Sequence, residues 1–180
     1  MHISFLTNNP INSVVVNKTT REVLYNIVTP ASFVTHKTTI RDGQGQEVAY
    51  YKRQTLDPDE IKFRGRVLYV NEWLQRDGLF SYSRRFTAPN RRTYKWKELD
   101  GASNFQLVDV QTSQIVASSY GYREGSFSAP RDMSIDVSDA VIPILDAIVL
   151  SFIIMEKKRI ERRKSTRHAA MMAPAPAATC

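Results

Sequence analysis

At 180 residues, 42% hydrophobic and 24% charged, the chain has the length and composition of one soluble globular domain, able to bury roughly two-thirds of the surface its unfolded form exposes. That composition excludes a largely disordered chain, and the single cysteine, Cys180, excludes an intramolecular disulfide and points to a reducing, cytoplasmic compartment. The net charge of +7 divides into +3 over residues 1–142 and +4 over residues 143–180, a basic balance that permits anionic partners without selecting one.

The first residues, Met1-His2-Ile3-Ser4-Phe5-Leu6, lack the basic region and sustained apolar run of a secretory signal. From Ile3 to Val137, short runs rich in β-branched and aromatic residues are separated by turn formers, the signature of an all-β meander. The predicted strands are Ile3–Leu6, Ser13–Val16, Glu22–Thr29, Phe33–Arg41, Glu47–Gln54, Ile61–Arg64, Arg66–Asn71, Leu79–Phe86, Thr93–Glu98, Phe105–Val110, Ile115–Tyr120 and Met133–Val137. Asn8-Asn9-Pro10, Asp42-Gly43-Gln44-Gly45, Ala88-Pro89-Asn90 and Asp100-Gly101 supply turns, and Gln111-Thr112-Ser113-Gln114 is short enough for a hairpin. Within Thr93–Glu98, Tyr94 and Trp96 share one face and Lys95 and Lys97 the other; Ile61 and Phe63 oppose Lys62 and Arg64 in the same way. Aromatics on one side and cations on the other describe a sheet with one wet face.

At Ser138-Asp139, a helix-capping pair, the pattern changes. From Ala140 to Met155 only Asp146 and Ser151 are polar, so the predicted helix has no solvent face and must be enclosed. Leu145, Ile148, Val149 and Phe152 are its expected core positions. Pro143 fits a first turn, and Asp146 lies near the positive end of the helix dipole. Helical periodicity continues through Arg163, where the cations suit a C-terminus. One domain is expected over 1–164, followed by an Ala/Pro-rich disordered tail over 165–180. Sixteen helical residues rise about 24 Å against a hydrocarbon thickness of about 30 Å, so a transmembrane anchor is the poorer account, although Lys157-Lys158-Arg159 has the composition of a cytoplasmic flank. The strands need something to close around, and this helix is apolar all round.

Catalytic and metal chemistry have little to work with. His2, His36 and His168 have no partner at ligand spacing, and the glycines at 43, 45, 121 and 125 precede no predicted helix, so they form turns and not a phosphate loop. The carboxylates at Asp57, Asp59 and Glu60 and at Asp132, Asp136 and Asp139 lack a calcium-loop pattern. No catalytic residue, metal site or cofactor is expected. The densest feature is the acid-free run Arg84, Arg85, Arg91, Arg92, Lys95 and Lys97, which suits phosphate-bearing ligands; its plainer reading is a solvated outer face. Nucleic acid is disfavoured because the pleat turns Tyr94 and Trp96 away from the lysines, leaving no stacking platform. A second basic set, Lys157, Lys158, Arg159, Arg162, Arg163 and Lys164, flanks the helix. Cys180 is the last residue and does not form a prenylation box.

The order of Leu24-Tyr25 with Thr29-Pro30, Trp73-Leu74, Phe86 before a turn and Tyr94-Lys95-Trp96-Lys97, Leu107-Val108-Asp109 with Ile115-Val116-Ala117, and Leu145-Asp146-Ala147-Ile148-Val149-Leu150-Ser151-Phe152 running into Glu156-Lys157-Lys158-Arg159 resembles an uncharacterised domain family of mushroom-forming fungi. That family is similar in turn to the tubby C-terminal and LURP-one-related barrels. The resemblance covers about residues 1 to 163, with Pro89-Asn90 departing from the expected Asp-Gly-like turn. It implies an antiparallel barrel of about twelve strands closed around a central C-terminal helix, no known activity, and, for tubby relatives, phosphoinositide binding. The combined expectation is a mainly β, non-enzymatic binding module, peripheral to membranes through anionic phospholipid headgroups; a protein-interaction scaffold without a small ligand is the alternative.

Overall fold

An alternating strand buries one row of side chains and wets the other, and it is stable only when the buried row finds a shared core. The computed structural model describes residues 1–31, 36–78, 81–99, 104–121 and 132–172. In it, thirteen strands form one antiparallel sheet: β1 (His2–Phe5), β2 (Ser13–Asn17), β3 (Val23–Val28), β4 (His36–Asp42), β5 (Glu47–Arg53), β6 (Glu60–Phe63), β7 (Arg66–Tyr69), β8 (Gln75–Arg76), β9 (Arg84–Thr87), β10 (Thr93–Glu98), β11 (Phe105–Asp109), β12 (Ile115–Tyr120) and β13 (Ser134–Val137). The order across the sheet runs from β7 back to β1, then from β13 back to β8. Thus β1 and β13, the ends of the meander, pair at its centre, with Ile3 opposite Ile135. Register shifts between Val15 and Val16, Ile40 and Arg41, and Leu107 and Val108 are the kind of irregularity that bends a strand and sharpens its twist.

The enclosed element is the C-terminal helix. Asp139–Ile144 forms a 3-10 turn containing Pro143, and an α-helix, here α2, runs from Leu145 to Met172. Ser138 takes the N-cap position without a side-chain hydrogen bond, so the expected Ser138-Asp139 cap is a backbone feature only. The regular helix starts just beyond Pro143, which has no N–H to give. The tail expected over 165–180 is helical as far as Met172, and residues 173–180 lie outside the described residues. Every side chain from Ala147 to Ile154 is 0% exposed, on all sides of a helix that repeats every 3.6 residues. Phe152 meets Phe5 of β1 and both Trp96 of β10 and Phe105 of β11, with ring centroids 5.4, 6.0 and 6.3 Å away. Strands from both halves of the sheet therefore reach the same helix, which requires the sheet to curl around it.

Polar side chains pin the helix in one register. The buried Trp96 indole Nε1–H donates to Ser151 Oγ at 2.9 Å, and that hydroxyl donates to the Ile148 carbonyl at 3.0 Å. Near the helix start the Tyr25 hydroxyl donates to Asp146 at 2.6 Å; burial, then this carboxylate, push the Tyr25 phenol well above its usual range. Both polar interruptions of the apolar segment are thus explained by a partner on the sheet.

The expectation of a closed barrel is corrected at one place. β7 and β8 are the two sheet edges and are not hydrogen-bonded to each other. The predicted strand Arg66–Asn71 ends at Tyr69 and turns into a single-turn helix, α1 (Val70–Trp73), which leads to β8. Side chains cover the inner side of this seam: Trp73 lies between Phe63 of β6 and Phe86 of β9, at centroid distances of 5.8 and 5.2 Å. The predicted strand Leu79–Phe86 is strand only from Arg84 to Thr87, while Leu79 and Phe80, like Phe33 to Thr35 and the Asp100-Gly101 turn, lie outside the described residues. Thr93–Glu98 and Ile115–Tyr120 coincide with β10 and β12. Two glycines are required by geometry: a Cβ on Gly43 would stand 2.5 Å from the Val23 carbonyl oxygen, and Gly65, at φ 76° beside Arg64 at φ 49°, closes the β6–β7 hairpin as two left-handed residues.

Replacing Ile148 or Phe152 by Asp should leave the protein unfolded or insoluble, because an unpaired buried charge costs several kcal/mol, a large share of a typical domain's stability; circular dichroism and soluble yield read the result. Trp96→Ala should cost about 3–5 kcal/mol and Lys97→Ala under about 0.5 kcal/mol in urea unfolding. Equal losses would overturn the register that puts Trp96 at 0% exposure.

Candidate functional site

The acid-free run from Arg84 to Lys97 does not form one patch. In β9 and β10, Phe86, Tyr94 and Trp96 are buried, and Arg84, which is paired with Trp96 in the register, shares their inward side and donates to the Leu74 carbonyl at 3.0 Å. Arg85, Lys95 and Lys97 take the outward side. There Asp77, just after β8, receives Lys95 Nζ at 2.9 Å and faces Arg85 at 3.9 Å; the Lys95 hydrogen bond holds its carboxyl below the usual range. Arg91 sits in the β9–β10 turn at φ 63°, and Arg92 pairs at 2.9 Å with Asp109, only 2% exposed. Acids from neighbouring strands thus offset much of a run that contains none.

The second basic set lies where α2 leaves the sheet, and other elements extend it. Residues spaced 3, 4 and 7 apart share a helix face. Lys157, Glu161 and Lys164 lie on one face and, with Asn8, His36 and Arg53, line a cleft of about 510 Å³. Arg159, Arg162, Arg163 and Thr166 lie on the opposite face and, with Tyr82 and Glu98, line a second cleft of about 370 Å³. In the first, Arg53 faces Glu161 at 3.3 Å, and the Lys157 ammonium lies 4.7 Å from the Tyr51 ring centroid. Burial is the main cause that pulls the Lys157 ammonium below its ordinary range. Lys158 reaches Asp59 at 3.4 Å, and the same carboxylate accepts from the Tyr51 hydroxyl at 2.8 Å. In the second, Arg162 pairs with Glu98 and lies over the Tyr82 ring at 4.2 Å. Around this rim Arg53, Lys157, Lys158, Arg162, Arg163 and Lys164 outnumber the carboxylates Asp59, Glu98 and Glu161. Clustered cations of this kind suit a phosphate or another compact anion.

Beneath the rim, Arg159 turns inward. Its guanidinium bonds Glu156 at 2.6 Å, with the two side chains 8% and 0% exposed, and it lies 5.8 Å from the Phe105 ring centroid. Burial pushes the Glu156 carboxyl up, and Arg159 works against that shift. Among the described residues Glu156 Oε1 and Arg159 Nη1 have no hydrogen-bond partner. Arg159 is therefore chiefly a counter-ion to the helix's own carboxylate. Lys157, Lys158, Arg162, Arg163 and Lys164 were legible as a basic set, whereas Asn8, His36, Arg53 and Tyr82 reach the rim only through the fold. His36 and Arg53 face each other across β4 and β5, a relation with no local sequence signal. Among the described residues no cluster of His, Cys, Asp and Glu is arranged to hold a metal, and no helix is long and apolar enough to cross a membrane.

Fold and site together define a protein whose single curled sheet encloses its own C-terminal helix and carries basic clefts where that helix emerges. The chain belongs to the family of unknown function DUF6593, whose model matches residues 8–161. No curated protein matches it. Among solved structures, a protein from Arabidopsis thaliana is similar at 14% identity over 85% of this chain and 90% of that one, with a TM-score of 0.38.

Arg159→Met should destabilise the protein by about 3–5 kcal/mol, because it strands a buried carboxylate. Adding Glu156→Leu should restore most of that loss, since apolar side chains of similar volume replace a buried pair at little cost. Urea unfolding of the two variants and of the double variant measures the coupling; additive losses would mean that the pair does not act as a unit.

Proposed function

We propose that this protein is a non-enzymatic binding module that docks reversibly on anionic phospholipid headgroups through the basic rim around the exit of α2. The observation that carries this reading is the pair of clefts on opposite faces of one emerging helix, with Arg53, Lys157 and Lys164 in the first and Arg162 and Arg163 in the second. Each cation near an anionic leaflet contributes about 1 kcal/mol and acts only within a Debye length of about 8 Å at physiological salt, so a few suffice for weak attachment. The resemblance to tubby-like barrels, whose tubby members bind phosphoinositides, supports the same chemistry. The reading places the contact at the rim and not on the β9–β10 face, where Arg92 and Lys95 already have carboxylate partners.

The protein should sediment with vesicles containing phosphatidylserine or a phosphoinositide but not with neutral ones, and binding should weaken steeply as salt is raised. Arg53→Ala with Lys164→Ala should remove about 2 kcal/mol, roughly a 30-fold loss in affinity. Arg91→Ala with Lys97→Ala should leave binding within about twofold. The opposite ranking would move the site to the β9–β10 face, and no sedimentation at low salt would overturn the proposal.

A further inference from the structure

The open seam between β7 and β9 has hydrogen-bonding capacity that the sheet does not use. Val70 N–H donates to the Asp59 carbonyl at 2.8 Å. Backbone groups alternate sides along a strand, and Leu68 and Arg66 stand opposite Ile61 and Phe63. These two therefore bond to β6, and the N–H and C=O of Val67 and Tyr69 point away from it. On the other side, Ala88 N–H bonds the Arg92 carbonyl at 2.9 Å, so Thr87, one residue earlier, turns its N–H and C=O away from β10. The two-residue β8 pairs with Arg85 and Arg84 only and stops short of Thr87. Among the described residues Val67 and Thr87 have no partner for these groups, and neither has the Tyr69 N–H; the Tyr69 C=O is used, since it stands at the N-cap of α1 and accepts the first N–H of that helix.

A cleft of about 390 Å³ lies in this gap, lined by Leu68, Glu72, Trp73, Phe86 and Thr87. It offers an aromatic wall beside two unpaired backbone edges. Val67 and Tyr69, 57% and 46% exposed, flank it on the outer face. Arg64 and Arg66 make no ion pair among the described residues, and Arg85 has only the 3.9 Å contact with Asp77. Two carboxylates stand among these three guanidinium groups, Glu72 on the cleft wall and Asp77, which Lys95 already engages, so Arg64 and Arg66 are left without an acidic partner among the described residues.

We infer that the seam receives an extended, acidic peptide segment of a partner protein, which adds a strand along β7, seats an apolar side chain against Trp73 and Phe86, and places a carboxylate near Arg64 and Arg66. Strand addition to an open edge draws affinity from backbone bonds and specificity from alternate side chains. Edges left this bare are otherwise blunted by charge, proline or a covering element. The site is separate from the basic rim and does not depend on it.

Tyr69→Pro is the discriminating variant. Tyr69 has φ −80°, close to the proline value of about −65°, and its N–H bonds nothing in the sheet, so the substitution removes one edge donor and leaves the β6–β7 ladder intact. The probe is a displayed library of random peptides of about twelve residues, selected on the wild-type chain. Enriched peptides should carry acidic residues with alternating apolar positions, shift Trp73 emission above the constant background of buried Trp96, and bind Tyr69→Pro and Arg66→Glu roughly tenfold more weakly. Both variants should keep the wild-type unfolding midpoint and vesicle sedimentation, which separates this site from the rim. The inference is overturned if no peptide is enriched over an unrelated protein, or if enriched peptides bind Tyr69→Pro as well as the wild type. It is equally overturned if sedimentation equilibrium shows a wild-type dimer that Tyr69→Pro dissociates, because a second copy would then be the occupant.

Discussion

A helix with no polar face cannot be left in water, and nearly every feature of this protein answers that constraint. From Ala147 to Ile154 α2 is fully buried. Burying each Ile, Leu, Val or Phe side chain contributes about 1.5–3 kcal/mol, a sum available only if the sheet reaches all sides of the helix. A flat sheet covers one side. Curling the meander until β5 and β10 both touch α2, as Lys157 on Tyr51 and Ser151 on Trp96 show, meets the requirement. Pairing of β1 with β13 at the centre of the sheet brings the chain to the point where the helix must enter.

The same constraint sets where polarity is allowed. Ser151 and Asp146 would each be costly in the core without a partner, and each has one on the sheet. Glu156 marks the end of the apolar segment, and its burial is tolerable because Arg159 lies one turn on. Beyond it, outward-facing charges take over, and the helix passes from core to rim within about one turn. The seam beside α1 shows the reverse economy. Trp73 bridges the inner side of the gap between Phe63 and Phe86, which covers the core there while the Val67 N–H and C=O and the Tyr69 N–H of β7 stay unpaired among the described residues.

Much of the fold was legible because its signals are local. The pleat of Tyr94-Lys95-Trp96-Lys97 and the switch to all-round apolarity after Ser138 each needed only a few adjacent residues. What escaped depends on neighbours distant in sequence. β8 is two residues long and carries no periodicity, and α1 begins inside a run that reads as strand through Asn71. Closure of the barrel could not be decided from strand count, since it turns on whether one connection is helical. The basic runs were visible as composition, but their counter-ions were not. Asp77 and Asp109 lie outside 84–97, and the pairing of β8 and β11 with their neighbours carries them to Arg85, Lys95 and Arg92. The rim gained Arg53 and His36 by the same route, because a charge acquires meaning only when topology assigns its neighbours.

Core and rim are consecutive turns of one helix, so they share their energetics. Lys157, Arg162 and Lys164 project from α2, while Arg53, Tyr82 and Glu98 project from the strands and the loop around it. An anion held between the two sets would tie the helix to its enclosure, and it would be bound only by a chain in which the helix is already seated. Binding restricted to the folded state stabilises that state by mass action. The apolar core that hides the helix therefore also positions its charged end, and the ion pairs Arg53–Glu161, Lys158–Asp59 and Arg162–Glu98 hold that position from the sheet without consuming every cation at the rim.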